Sequence, residues 1–216
     1  MRYIDIGITK YVDAYRFQRE ILDEVADGVS DNTLLITEHY PIITIGRKGS
    51  WDNILKPVDF LKAKGIEILN VDRGGDVTYH CPGQLVAYPI FRLEDGAKDI
   101  HRFLDFLEEV GISFLARYGV DAATRPGLRG IWVGRKKIGS IGIGVKKWVT
   151  YHGMAINIAP DMEAFSFIRP CGIEGALMTS LHELLGEKIG IYDAKNRLRE
   201  SFEEISLLAE AVSKGQ

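Results

Sequence analysis

The sequence predicts an α/β fold in which a mixed β-sheet is covered by helices. Segments rich in apolar and β-branched residues cluster in the middle of the chain, and segments with helical periodicity lie at both ends and between the strands. Glycine and proline are spread along the 216 residues, and no repeat, low-complexity tract or linker divides them. We therefore expect a single-domain sandwich with flanking helices that spans residues 1–216.

The helices are predicted from apolar residues that recur at helical spacing. Apolar residues within 11–27 form a stripe along one side of a predicted helix. Residues 98–118 carry a longer apolar face, and Gly119 ends that helix. A last helix is expected around Phe202 in the tail of the chain. Shorter helices are predicted at residues 58–64, 162–168 and 176–185.

The strands are predicted from short runs of β-branched and aromatic residues bounded by turn residues. A break at His39-Tyr40-Pro41 separates the first two of these runs. The predicted strands are residues 33–38, 42–45, 66–72, 77–79, 84–91, 130–134, 137–146 and 148–158.

Composition and charge exclude several classes of function. A net charge of −3 without a basic tail argues against nucleic acid as a partner. No uncharged apolar run approaches membrane-spanning length, and the N-terminus lacks an apolar signal core. Cys81 and Cys171 are too few for a disulfide scaffold. We therefore expect a cytoplasmic protein with a hydrophobic fraction of 46%, ample for a core.

Cys171, between Pro170 and Gly172, is a candidate nucleophile. A thiolate attacks a thioester well and forms a thioester in return, so the exchange is nearly neutral in free energy. Pro170 fixes the preceding backbone, and Gly172 leaves room for an incoming carbonyl group. The alternative is that Cys171 is a small buried hydrophobic residue.

Lys137 is a candidate base. In a regular strand it shares an apolar face with Gly139, Ile141 and Ile143, so it is expected to point inward. Burial would disfavour its ammonium form and let it act as a general base. While charged, it would lower the pKa of a nearby cysteine.

Two alternatives to this interpretation of Lys137 remain open from the residues alone. Residues 135–137 could be the solvated tip of a hairpin. Alternation along a strand also cannot choose between Lys136 and Lys137, because a β-bulge would exchange their directions.

Two glycine-rich segments predict a close approach to the backbone. Gly142 and Gly144 fall on one strand face beside Ser140, which indicates that an acyl chain or a packed helix lies against it. Residues 73–80 form a Gly-Gly turn that leads directly into a strand. This turn matches neither a phosphate loop nor a dinucleotide fingerprint and could shape a ligand site, or an ion pair of Arg73 or Asp76 could hold it.

The five histidines do not form a metal-binding pattern. His182-Glu183-Leu184-Leu185-Gly186 has Gly where a zinc protease has its second histidine, and His101 is expected at the surface of a helix. Ser140 lacks the context of a nucleophile elbow, which disfavours a serine hydrolase. We therefore expect no metal site.

Several motifs occur in order between about residues 30 and 190, and together they resemble the lipoyl(octanoyl) transferase family. The segment 33–46 is similar to the N-terminal part of that family. The other motifs are Arg73-Gly74-Gly75-Asp76-Val77-Thr78-Tyr79-His80, Pro82-Gly83-Gln84, Gly130-Ile131-Trp132-Val133, Lys137-Ile138-Gly139-Ser140-Ile141-Gly142, His152-Gly153-Met154-Ala155-Ile156-Asn157, Pro170-Cys171-Gly172-Ile173 and Thr179-Ser180-Leu181.

The resemblance implies the fold of the biotin/lipoate ligase catalytic domain and an acyltransferase activity. An octanoyl or lipoyl group would pass from acyl carrier protein to Cys171 as a thioester, and then to a lysine ε-amine. The implied acceptors are the lipoyl domains of 2-oxoacid dehydrogenase acyltransferase subunits and the glycine cleavage H protein. No cofactor is implied, because the acyl group arrives on the phosphopantetheine arm of the carrier.

The resemblance also assigns roles to individual residues. Cys171 matches the catalytic cysteine, and Lys137 rather than Lys136 matches the catalytic lysine. The residues implied to bind the acyl substrate are Arg73, Gly74, Gly75, Asp76, Val77, Thr78, Tyr79, His80, Ser140, Ile141, Gly142, His152, Gly153, Met154 and Ala155.

One position departs from the family pattern, because Cys81 stands where the family has Gly. Either the substitution is tolerated in a roomy turn, or Cys81 lies near the acyl site and can trap the chain or pair with Cys171. If the family needs Gly there for a positive φ, cysteine would add backbone strain.

The sequence is also compatible with two other functions and with one candidate docking surface. The chain could be an ATP-dependent lipoate or biotin ligase of the same fold, or a non-catalytic binding module. Arg135, Lys136, Lys146 and Lys147 could form a local basic patch for an acidic carrier protein, or they could be ordinary charges at strand ends.

Overall fold

The protein is a mixed α/β structure, as the sequence predicts. The computed structural model describes residues 1–93, 98–170 and 177–214, with side chains up to residue 209. Its elements, in chain order, are β1 Arg2–Thr9, α1 Tyr11–Ala26, β2 Thr33–His39, β3 Ile42–Ile45, α2 Val58–Ala63, β4 Glu67–Asn70, β5 Val77–His80, β6 Gln84–Ile90, α3 Ile100–Ala116, β7 Ala123–Arg125, β8 Leu128–Val133, β9 Lys136–Lys146, β10 Val149–Asn157, β11 Leu177–Met178, α4 Leu181–Leu185 and α5 Ile191–Lys214.

The strands of the described residues form two sheets. The larger has the order β1-β2-β6-β10-β9-β8-β7, with β11 added beside β9, and the smaller has the order β4-β3-β5. β1 and β2 are parallel and joined by α1, whereas most other pairs are antiparallel. At the predicted break after His39 the chain leaves the larger sheet and begins the smaller one at Ile42.

In the described part of the chain, three apolar clusters hold these layers together. Helices α3 and α5 cover one face of the larger sheet around Leu107 and Phe202. Helix α1 covers part of the opposite face, where Leu22 packs among residues of β2, β6 and β10. The smaller sheet has its own cluster around Leu61 and Phe165. The sandwich leaves one region of the larger sheet, beside α1, facing the smaller sheet.

Several predicted elements differ from the structure. β1 and β7 were not predicted, and residues 163–167 form a 3₁₀-helix instead of an α-helix. Of the predicted helix 176–185, only Leu181–Leu185 is helical, because Leu177–Met178 pairs with β9. None of the helices in the described part of the chain combines the length and the apolar composition that a bilayer crossing requires.

The first strand and the last helix are joined by a partly buried ion pair. Lys195 of α5, which is 7% exposed, places Nζ 3.1 Å from both carboxylate oxygens of Asp5 in β1. Nζ also lies 3.8 Å from Glu38, which accepts a hydrogen bond from the backbone of Gly83. This pair fixes α5 against the β1 edge of the larger sheet.

Candidate active site

A narrow pocket lies between the two sheets. Its floor is formed by β9, β10 and β6, and its roof by the loop 73–76 and β5. The space between the walls is about 500 Å³, including the part open to solvent, but only about 50 Å³ admits the centre of a water molecule. The residues that border it are Tyr11, Arg73, Gly75, Asp76, Val77, Thr78, His80, Val86, Tyr88, Lys137, Ser140, Ile141, Gly142, His152, Gly153, Met154 and Ala155.

The pocket unites almost all of the residues that the sequence assigns to substrate binding. Gly74 and Tyr79 are the exceptions. Tyr79 points away from the pocket into the cluster of the smaller sheet, where its ring packs edge-to-face against Phe165. Ile141 and Met154 border the pocket although their side chains pack on the opposite face of the larger sheet. Sequence reasoning missed Tyr11, Val86 and Tyr88, which come from other elements.

Lys137 is buried and Lys136 is exposed, so the hairpin tip ends before Lys137. The predicted face of Lys137 is nevertheless wrong. Trp132 pairs with Lys137 and Ile131 pairs with Gly139, so a bulge at this point places one extra residue in β9. The bulge puts Lys137 on the face opposite Gly139, where the pocket lies.

The amine of Lys137 is held by β8. Its Nζ donates a 2.9 Å hydrogen bond to the carbonyl oxygen of Arg129 and lies 5.5 Å from the centre of the Trp132 ring. Gly130 makes room for this side chain, because a Cβ there would lie 2.5 Å from Cε of Lys137. Glu108, itself buried, accepts hydrogen bonds from the backbone N–H of Gly130 and from the Arg129 side chain. The site around Lys137 is therefore firmly positioned.

Cys171 lies outside the described residues. The strand that follows, β11, pairs with the start of β9, where Met178 is the partner of Lys137. The backbone N–H of Thr179 donates a 3.0 Å hydrogen bond to the carbonyl oxygen of Lys137. The chain therefore returns to Lys137 after the segment that contains Cys171.

A hydrogen-bonded chain of side chains ties the pocket roof to this same point. His80 Nδ1 lies 2.7 Å from Gln84 Oε1, and Gln84 Nε2 donates to Asn157 Oδ1 at 2.9 Å. Asn157 Nδ2 donates to the carbonyl oxygen of Thr179 at 2.9 Å. Since Gln84 uses its amide as a donor, its oxygen accepts, and His80 carries its proton on Nδ1. Burial lowers the pKa of His80 well below its usual value, so the ring is neutral.

The loop 73–76, rather than an acyl chain or a helix, packs against Gly142. A Cβ on Gly142 would lie 2.5 Å from the carbonyl oxygen of Gly74, and Gly144 faces the ring of Tyr151. The Arg73 guanidinium donates to the carbonyl oxygens of Gly74 and Asp76 at 3.0 and 2.8 Å. Arg73 thus stabilises the turn through hydrogen bonds to its backbone carbonyl oxygens.

The carboxylate of Asp76 serves a different part of the same turn. Its oxygens accept a 2.7 Å hydrogen bond from the Asn53 side chain and a 3.3 Å hydrogen bond from the backbone N–H of Ser50. Asp76 thereby fastens the roof of the pocket to the segment after β3.

His152 adopts a left-handed backbone with φ of 55°, which is uncommon for a residue with a side chain. Three contacts surround this residue. Its N–H donates to Gln18 Oε1 at 2.8 Å, Nε2 lies 2.8 Å from Asp72, and Nδ1 lies 3.3 Å from Tyr11 Oη. Burial lowers the pKa of His152. A carboxylate only accepts, so neutral His152 donates Nε2–H to Asp72 and accepts from Tyr11.

Asp72 also accepts hydrogen bonds from Tyr15 and Tyr151 at 2.9 and 2.8 Å. The hydrogen bond from His152 is the main cause that holds the pKa of the Asp72 carboxyl well below its usual value. Asp72 is therefore ionised and anchors three rings beside the pocket.

Cys81 lies outside the pocket lining. It is 3% exposed within the cluster of the smaller sheet, and burial raises the pKa of its thiol to about 12. Among the described residues, the non-glycine positions with positive φ are Lys147, Trp148 and His152, so Cys81 carries no such strain. The structure therefore favours a tolerated substitution.

The four basic residues named as a candidate patch do not lie together, which favours the alternative that they are ordinary charges at strand ends. Lys136 and Lys146 lie at opposite ends of β9, roughly 33 Å apart for ten residues of extended strand. Lys146 and Lys147 form ion pairs with Asp23 and Asp27 of the α1 end. They are charges at a strand end remote from the pocket mouth near Lys137.

Comparisons with known proteins agree with this architecture. A sequence model of the lipoyl protein ligase A/B catalytic domain matches residues 10–203. An octanoyltransferase of Maridesulfovibrio salexigens is 43% identical over 205 residues, which cover 95% of this chain and 96% of that protein.

Two solved structures share the fold at low sequence identity. A bipartite lipoate protein ligase from Thermoplasma acidophilum, described with its E2 lipoyl domain, has a TM-score of 0.72 at 17% identity and covers 94% of this chain and 82% of its own. Biotin protein ligase from Aquifex aeolicus has a TM-score of 0.58 at 12% identity, with 94% and 69% covered. The predicted biotin/lipoate ligase fold is thus confirmed, and the chain belongs to the octanoyltransferase family of acyltransferases with a lipoyl protein ligase A/B catalytic domain.

Proposed function

We propose that this chain transfers an octanoyl or lipoyl group from acyl carrier protein to the ε-amine of a lysine on lipoyl-dependent proteins, through a thioester on Cys171. The observation that carries the proposal is the position of Lys137. It is 1% exposed and borders a narrow pocket built from the stretches that the resemblance assigns to acyl binding. Membership of the octanoyltransferase family supports the same reaction.

In the first half-reaction Lys137 takes the proton of the Cys171 thiol. The thiolate attacks the carbonyl carbon of the carrier thioester, a C–S bond to Cys171 forms, and the C–S bond to the phosphopantetheine sulfur breaks. The leaving thiolate takes the proton back from Lys137. One thioester replaces another, so the step needs no ATP.

In the second half-reaction the neutral amine of the acceptor lysine attacks the Cys171 thioester. A C–N bond forms, the C–S bond breaks, and Lys137 carries the proton of the amine to the departing thiolate. The carbonyl of Arg129 and the ring of Trp132 hold the amine of Lys137 in place for both proton transfers.

The pocket supplies the binding energy for an acyl chain. Its floor on β6 and β10 offers Val86 and Ala155, and its roof offers Val77. Removing each methylene from water contributes about 0.8 kcal/mol. A narrow slot between two sheets suits one unbranched chain in an extended conformation.

The partners follow from the same chemistry. We propose that the donor is acyl carrier protein, whose phosphopantetheine arm would deliver the acyl group to the Lys137 end of the pocket. The proposed acceptors are lipoyl domains of 2-oxoacid dehydrogenase acyltransferase subunits and the glycine cleavage H protein.

The test is intact mass spectrometry after incubation with octanoyl carrier protein. We expect a gain of one octanoyl group that hydroxylamine removes and that Cys171→Ala lacks. Lys137→Ala should slow both half-reactions by about 10²-fold or more, whereas the neighbouring exposed lysine provides the control Lys136→Ala with unchanged rates. Acylation of an acceptor from free octanoate and ATP, or full activity in Cys171→Ala, would overturn the proposal.

A further inference from the structure

Tyr11 stands between two cavities. It borders the narrow inner pocket, and it also borders an outer cleft formed by Val12, Tyr15, Arg47 and residues 69–72. The outer cleft is roomy, since about 450 Å³ of it admits the centre of a water molecule, compared with about 50 Å³ in the inner pocket. The Tyr11 side chain therefore separates a slot from a wide space.

The position of Tyr11 is set by contacts on several sides. The side chain is 4% exposed, and its hydroxyl group lies 3.3 Å from Nδ1 of His152. Its ring centre lies 5.2 Å from that of His39, 6.0 Å from that of His80 and 6.3 Å from that of His152. Each imidazole is itself fixed, by Tyr88 and Thr9 in the case of His39 and by Gln84 and Asp72 in the other two.

The wall that these rings form is uncharged. Burial lowers the pKa of His39 to about 4 and lowers the pKa of His80 and His152, and burial raises the pKa of Tyr11. Neutral rings can face the methyl end of a fatty chain without leaving a buried charge unpaired.

Lys137 and Tyr11 lie toward opposite ends of the pocket. Gly142 lies five residues after Lys137 along β9, roughly 16 Å in an extended strand, and it pairs with Gly153 next to His152. C–C bonds of about 1.5 Å advance an extended zigzag chain by roughly 1.25 Å each, so an eight-carbon chain is roughly 9 Å long and a sixteen-carbon chain roughly 19 Å. A chain whose carbonyl carbon reacts near Lys137 thus has room for eight carbons, whereas a sixteen-carbon chain is longer than this span and meets the wall.

We propose that Tyr11 is the end wall of the acyl pocket and sets the longest chain that the enzyme accepts. This inference rests on the proposed function, because it takes the Lys137 end as the place of reaction. Removal of the ring would open the slot into the outer cleft, which has space for the additional methylenes of a longer chain.

The test compares octanoyl and hexadecanoyl carrier proteins as donors. Each methylene transferred from water is worth about fourfold in binding, so Tyr11→Ala should raise the hexadecanoyl-to-octanoyl rate ratio by tenfold or more. Tyr11→Phe keeps the ring and should leave the ratio as in the unsubstituted protein. Val12→Ala enlarges only the outer cleft and should also leave it unchanged.

A second readout needs no transfer. Calorimetric binding of free octanoate and hexadecanoate should show the same shift in preference for Tyr11→Ala. Thermal unfolding checks that the variant is folded, with Tyr11→Leu in its place if it is not. An unchanged chain-length preference in folded Tyr11→Ala, or an equal shift in Val12→Ala, would contradict the role of Tyr11 as the end wall. Absence of octanoyl transfer by the unsubstituted protein would instead contradict the proposed function, and the binding measurement would still decide the role of Tyr11.

Discussion

Lys137 faces Trp132 across β8 and β9, with its Nζ 5.5 Å from the centre of the indole ring. The two side chains share a face because a bulge in β9 changes the alternation between Lys137 and Gly139. Without the extra residue, a lysine at this position would point into the apolar cluster beneath α3, among Ile131 and Ile143. The bulge therefore decides that the amine reaches the pocket.

Gly130→Ala should displace Lys137 and lower activity while the fold is kept. The added Cβ would lie 2.5 Å from Cε of Lys137 and 2.6 Å from the carbonyl oxygen of Gly139. A misplacement of about 1 Å at a reacting group can cost about 10²-fold in rate, which single-turnover acylation would measure.

Gly127→Ala is the matched control for this change. Gly127 also has a positive φ, of 77°, but no atom of the described residues lies within 4 Å of an added Cβ. It should lose about 1 kcal/mol of stability through backbone strain and keep its acylation rate. Full activity in a folded Gly130→Ala protein would contradict the proposed importance of the Lys137 position.

Cys81 should stay unlabelled during turnover. Burial raises the pKa of its thiol to about 12, so the reactive thiolate is scarce near neutral pH. Peptide mapping after incubation with octanoyl carrier protein should place the acyl group on Cys171 alone. Acylation of Cys81 at a comparable rate, in the unsubstituted protein or in Cys171→Ala, would show that it does reach the acyl chain.

His39 should make the protein less stable in acid. The folded state lowers its pKa from 6.5 to about 4 by burial, so between these values the unfolded chain binds a proton that the folded protein does not. The contribution of His39 is complete above pH 6.5 and is lost as the pH falls towards about 4, by about 3 kcal/mol in total. Chemical denaturation across this range measures the loss.

His39→Asn tests whether this one ring is responsible. Asparagine can still donate to the carbonyl oxygen of Thr9, which accepts from His39 Nδ1 at 3.2 Å. The variant should have a lower stability at pH 7 and a shallower pH dependence, by about one proton at its steepest. An unchanged slope would assign the acid sensitivity to other groups.

The parts of the fold that sequence reasoning found are those with a strong local period. The apolar stripe of α1, which includes Leu22, and that of α3, which includes Phe114, predicted those helices almost to the residue. β1 was missed although Ile4, Ile6 and Ile8 alternate in it, since the strand exists only through its pairing with β2. Residues 163–167 had helical composition but too few turns for an α-helix.

The pocket residues, too, could be predicted only where a local sequence motif marks them. Its glycines and Lys137 were recognisable from motifs, but Tyr11 and Tyr88 lie in α1 and β6, and no local pattern connects them to residues so distant in the chain. The loop 73–76 fills the space above Gly142 that we assigned to an acyl chain or a helix, because only the packing of the two sheets brings Gly74 there. The bulge at Lys137 was recognisable as an ambiguity but not resolvable by alternation.

The ion pair between Asp5 and Lys195 spans 190 residues of sequence. On the ribosome, the N-terminal strand emerges long before its cationic partner has been synthesised. During that interval, the apolar surface of the sheet remains exposed to water where Leu198 and Phe202 will later cover it. Completion of the native structure thus waits for the last helix to dock, and nascent chains arrested upstream of it are the natural clients for a holdase chaperone.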